Sequence, residues 1–127
     1  MGCLHQYQAR QPFYVPNADA ICDIYESIAK VPGVEFVPLS HCTITPALVN
    51  PHLIRELSRI LLGKSVLKNP AATNAGRQFL APLIGLETGS VRLAAQTMAG
   101  KSLPYDIRDW QEVVVQGIEI LNRNNWF

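Results

Sequence analysis

Apolar residues recur at helical spacing in four stretches of this chain and gather into short continuous runs in two others, the alternation expected of an α/β protein. Asn17 stands as an N-cap before Ala18-Asp19-Ala20, and Ile21, Ile24, Tyr25 and Ile28 share one face until Pro32-Gly33 stops the pattern. Val34-Glu35-Phe36-Val37-Pro38-Leu39 reads as a strand, followed by the polar and β-branched stretch Ser40-His41-Cys42-Thr43-Ile44-Thr45-Pro46 at its carboxyl end. Asn50-Pro51 then opens a second helix whose face is Leu53, Ile54, Leu57, Ile60 and Leu61 and which ends at Gly63. A strand over 79–86 is followed by a third helix from the Ser90 cap to Gly100. A fourth begins near Asp106 or Asp109 and carries Trp110, Val113, Val114, Gly117, Ile118 and Leu121 on one side. Trp126-Phe127 resembles the opening of another strand.

Residues 1–16 mix aromatics, Gln and two prolines without a period and read as an irregular lead-in, with a short strand near 13–15. Residues 64–77 have no period either and predict a long exposed loop. Residues 17–127 are then a single α/β unit. Strands separated by amphipathic helices imply right-handed crossovers and a parallel sheet. Two or three strands with about four helices look like a section of a larger sheet or (β/α) barrel, because a parallel sheet needs cover on both faces and protected edges.

Composition narrows the function classes. With 127 residues, 48% of them hydrophobic and 17% charged, the chain has material for one core. The formal net charge is +1 and the eleven basic residues are scattered, which excludes a nucleic-acid tract or a polybasic membrane patch. No apolar run approaches the roughly 18 residues of a membrane span, and the first residues lack the pattern of a signal peptide, so a cytoplasmic chain is expected. Cys3, Cys22 and Cys42 are odd in number and far apart, forming neither a disulfide framework nor a close-spaced cluster motif.

Gly85-Leu86-Glu87-Thr88-Gly89-Ser90 is the stretch that best suggests chemistry, a carboxylate at the carboxyl end of a strand beside a new helix. Gly89 permits a tight turn, Ser90 caps the helix, and the N–H groups of its first turn lie beside the carboxylate. A ligand bearing hydroxyls, an amine or a phosphate suits that spot; the competing reading is a turn in which Glu87 only accepts hydrogen bonds from the loop. Cys3, His5, His41, Cys42 and His52 carry zinc-type donors, but their spacing fits no common zinc module. Tyr25, Tyr105 and Trp110 read as core or rim packing.

The order of an apolar strand, Gly-Leu-Glu-Thr-Gly-Ser, Val91-Arg92-Leu93, Met98, Gly100-Lys101 and the helix Trp110 to Asn122 resembles the middle of the catalytic barrel of radical SAM proteins. The likeness is strongest to those described as Fe–S oxidoreductases or cobalamin-binding radical SAM proteins. Val31-Pro32-Gly33-Val34-Glu35, Leu39-Ser40-His41 and the helix from Asn50 to Leu57 are similar to the preceding βα unit, so the likeness covers about residues 17–127. It implies that Glu87 contacts the ribose or methionyl part of S-adenosylmethionine, that Thr88 and Ser90 line the pocket, and that Lys101 faces the methionine carboxylate, unless Lys101 is a solvated residue at its helix end.

In that family a [4Fe-4S] cluster sits on a Cys-x-x-x-Cys-x-x-Cys loop, leaving one iron open to chelate S-adenosylmethionine. No such loop occurs in these residues. The resemblance therefore implies a fragment, not catalytic by itself, whose intact parent uses S-adenosylmethionine and [4Fe-4S], with none expected bound to this chain and the use of cobalamin left open. Its expected partners are the remainder of the parent enzyme and, through exposed sheet edges, a second copy. The alternative is a small non-catalytic α/β module that binds an unidentified ligand or self-associates.

Overall fold

The structure is a computed structural model that describes residues 17–39, 42–64 and 79–126. Five α-helices appear among these residues: α1 (Ala18–Ala29), α2 (Thr45–Val49), α3 (Pro51–Leu61), α4 (Val91–Thr97) and α5 (Trp110–Arg123). Two 3₁₀ turns, Ala99–Ser102 and Ile107–Asp109, lie between α4 and α5.

The caps explain where the helices start. The Asn17 side chain accepts a hydrogen bond from Ala20 N at 3.1 Å, and Asn50 from Leu53 N at 3.2 Å with Pro51 at the first helical position. α3 buries Leu53, Ile54, Leu57 and Leu61, and removing each such side chain from water stabilises the fold by about 1.5–3 kcal/mol. α1 packs on α3 through half-buried Ile21, Cys22 and Tyr25, and Arg59 of α3 reaches Glu26 of α1 at 2.8 Å. Burial raises the thiol pKa of Cys22 and the phenol pKa of Tyr25.

α2 was not visible in the hydrophobic pattern. Residues 40–46 read as a polar continuation of a strand, yet Thr45 and Ala47 are buried in a five-residue helix against α5. Gly117 allows that approach: a Cβ there would lie 2.4 Å from Ile44 Cγ1 and 2.8 Å from its Cδ1. α5 ends in a Schellman motif, with Trp126 N bonded to Leu121 O at 3.0 Å, Asn125 N to Asn122 O at 3.1 Å, and Asn125 left-handed at φ 62°. The buried Trp126 indole then donates to Ser58 Oγ at 2.6 Å, tying the end of α5 to the last turns of α3.

The expected parallel sheet and partial (β/α) barrel are not what the described residues form. They are 60% helical with 4% in bridges, and they contain no sheet. Residues 34–39 and 79–86, where strands are expected, are extended, but among the described residues the β-bridges are Cys42–Ile84 and Leu80–Trp126, both parallel. Among described residues the first pairing consists of Leu83 N to Leu39 O at 3.2 Å and Cys42 N to Leu83 O at 2.9 Å. A ladder needs successive donors, and Pro38 and Pro82 have none. Val37 N turns instead to Lys64 O at 2.9 Å. Trp126, where the sequence predicts a strand opening, mainly closes α5. The lead-in 1–16, the short strand within it, nearly all of the 64–77 loop and Phe127 lie outside the described residues.

Residues 80–88 still alternate. Leu80, Pro82, Ile84, Leu86 and Thr88 are buried or half-buried, whereas Ala81, Leu83, Gly85 and Glu87 are exposed. No helix among the described residues is long and apolar enough to cross a membrane.

Gly117→Ala is expected to destabilise the chain by about 1–3 kcal/mol through overpacking against Ile44, despite a gain in helix propensity. Gly63→Ala, where an added methyl meets nothing within 4 Å, is expected to change stability by less than about 0.5 kcal/mol. Urea denaturation of both variants checks the pair.

Candidate functional site

The 80–88 segment ends in a strained turn. Thr88 N donates to Leu86 O at 2.6 Å, closing a three-residue γ-turn on Glu87, whose φ is 56°. A left-handed non-glycine residue costs about 1–3 kcal/mol and persists only where its surroundings over-determine it. Those surroundings can be named. Trp110, fully buried at the first turn of α5, donates its indole N–H to Thr88 O at 2.7 Å, and Gln111 Nε2 donates to Gly89 O at 2.9 Å. On the other side Ser90 N donates to Thr88 Oγ1 at 3.0 Å, and Ser90 Oγ accepts from Leu93 N at 3.4 Å, starting α4.

The Glu87 carboxylate is paired with the ammonium of Lys101 through Oε2. Lys101 is only 4% exposed while Glu87 is 49% exposed, so the cation lies inside and the carboxylate faces out. Lys101 sits in the 3₁₀ turn Ala99–Ser102, with its N–H on Met98 O at 2.8 Å and its neighbour Ser102 bonded through Oγ to Tyr105 O at 3.0 Å. It is not the solvated residue beside a helix end that its neighbourhood with Gly100 suggested. Gly85 completes the arrangement: a Cβ there would lie 2.4 Å from Glu87 Oε1 and 3.3 Å from Lys101 Nζ.

The four residues singled out from sequence, Glu87, Thr88, Ser90 and Lys101, thus fall in one place, although Thr88 and Ser90 serve the turn and the cap. Gly85, Trp110 and Gln111 were missed as parts of it. Gly85 carried a readable signal, since a glycine inside a strand marks close approach of another group. Trp110 carried half of one, because a buried indole N–H needs an acceptor, but nothing in the sequence said which.

The other candidate constellation does not assemble. Among the described residues no three His, Cys, Asp or Glu side chains are grouped to hold a metal. Cys22 and Cys42 are half-buried and His52 is exposed; Cys3, His5 and His41 lie outside the described residues. Among the described residues the cysteines are likewise not grouped to hold an iron–sulfur cluster. Compared with protein-family models, curated proteins and solved structures, the chain matches none of them.

The approach to Trp110 is organised by Asp106, which caps the 3₁₀ turn before it by accepting from Arg108 N at 2.9 Å and Arg108 Nε at 3.0 Å. Hydrogen bonds from the Arg108 guanidinium and then its backbone N–H hold the Asp106 carboxyl down at a pKa of about 2. A lowered folded-state value means that this contribution to stability is complete above the ordinary value of 3.8 and is lost as pH falls toward about 2. NMR titration of the Asp106 carboxyl is expected to show the cap intact at pH 4; a midpoint at the ordinary value contradicts it.

Proposed function

We propose that this chain supplies one wall of an S-adenosylmethionine pocket in a radical SAM Fe–S oxidoreductase, with Glu87 as the residue that meets the ligand. One observation carries the reading: a half-exposed carboxylate held in a strained turn by a buried cation and by two donors from α5. Strain of this kind is kept where a group must be aimed. A carboxylate there is an acceptor for the hydroxyl or ammonium donors of S-adenosylmethionine, and the fit extends to that contact alone. S-adenosylmethionine supplies, on one-electron reduction, cleavage to methionine and a 5′-deoxyadenosyl radical. The Cys-x-x-x-Cys-x-x-Cys run that would hold the reducing cluster is absent from the sequence, and the chain is not assigned that step.

A single wall binds weakly, so the test is an NMR titration of the chain with S-adenosylmethionine up to millimolar concentration. Shifts of the amides of residues 85–91 are expected, and their loss in Glu87→Ala. No shift in the unmodified chain, or shifts equally present in Glu87→Ala, would contradict the reading.

A second reading rests on a different observation. The face of residues 80–88 that carries Leu83, 65% exposed, is uncovered, with Phe36 of the neighbouring extended segment 49% exposed. Extended segments with an exposed apolar face pack against other chains, which makes self-association the alternative role. Sedimentation velocity is expected to show concentration-dependent association that Leu83→Lys weakens; a monomer at all concentrations rules this reading out.

A further inference from the structure

We infer that Lys101 is a positioning residue: its buried ammonium fixes the direction in which Glu87 presents its carboxylate to a ligand, and Gly85 is the clearance that makes this possible. The inference rests on the assignment of Glu87 as the ligand-facing group and deepens it. Three observations carry it. First, the exposures are opposite, 4% for Lys101 and 49% for Glu87, so a ligand arriving from solvent reaches the carboxylate and not the ammonium. Second, the lysine is anchored from behind, in a 3₁₀ turn whose Gly100, Lys101 and Ser102 are all buried. Burying an ammonium is costly unless it is paired, so the carboxylate is drawn to a defined point. Third, the space needed for the pairing is reserved by the absence of a side chain at residue 85, where a Cβ would stand 2.4 Å from Glu87 Oε1.

Adding that Cβ would displace chiefly the far end of Glu87, which is flexible and half-exposed, and would press more lightly on the Lys101 ammonium. Gly85→Ala therefore leaves the backbone in place and moves the carboxylate away from Lys101. A lysine that touched ligand directly would not depend on Gly85 or on Glu87 in this way.

The test is a double-mutant cycle with S-adenosylmethionine as probe, joined to a ligand-free readout. Glu87→Gln, Lys101→Met and the double variant are titrated by NMR, and side-chain couplings of Glu87 report its χ1 in the chain without ligand. Positioning predicts that Lys101→Met alone weakens binding about tenfold, that Glu87→Gln alone does the same, and that the double variant is no worse than either. It also predicts one χ1 rotamer for Glu87 in the unmodified chain and averaging in Lys101→Met. Additive losses in the cycle would make Lys101 a direct contact and overturn the inference.

If the unmodified chain shows no response to S-adenosylmethionine, the proposed function fails. The χ1 readout then still decides positioning, with averaging in Lys101→Met supporting it and an unchanged rotamer overturning it. Should Lys101→Met not fold, Gly85→Ala gives the same χ1 decision with the lysine in place.

Discussion

A lysine taken out of water needs a negative charge, and that constraint organises the end of the structure around Glu87. Lys101 lies inside the 3₁₀ turn after α4, and the carboxylate that reaches it belongs to a residue at the end of an extended segment. Bringing Glu87 there puts its backbone in the left-handed region and closes a γ-turn around it. The turn's carbonyls then face α5, where Trp110 and Gln111 take up two of them. Charge pairing, backbone strain and hydrogen bonding are mutually supporting, since each alone would be outweighed by its own cost.

The scaffold behind the turn is helical. α2 lies against α5 at a distance only a glycine permits, and α5 is tied through Trp126 and Ser58 to α3. Because α5 provides both that tie and the two donors at Glu87, the position of the turn is referred to the core through a single rigid element. Asp106 fixes where that element begins.

Legibility in the sequence followed the range of the forces involved. Caps are local, and Asn17, Asn50 and Ser90 start helices as read. The extended character of residues 34–39 and 79–88 is also local and was visible in their apolar runs, but sheet formation is a property of pairs of segments. There Pro38 and Pro82 count against continuous pairing in a way that hydrophobic patterning does not register. α2 escaped because five residues hold too little of a helical period to stand out from a β-branched stretch. Glu87, Thr88 and Ser90 stand together in one turn of the sequence, whereas the burial of Lys101, its pairing with Glu87 and the contribution of Trp110 depend on long-range packing.

The most direct measurement is an NOE experiment on the chain without ligand, between the Lys101 ε-methylene and the Glu87 γ-methylene protons. A strong cross-peak, with slow exchange of the Trp110 indole N–H, is the expected result for a carboxylate preset by a buried cation. No cross-peak, together with rapid exchange of that indole proton, would show that the turn is not held and would contradict a prearranged site at Glu87.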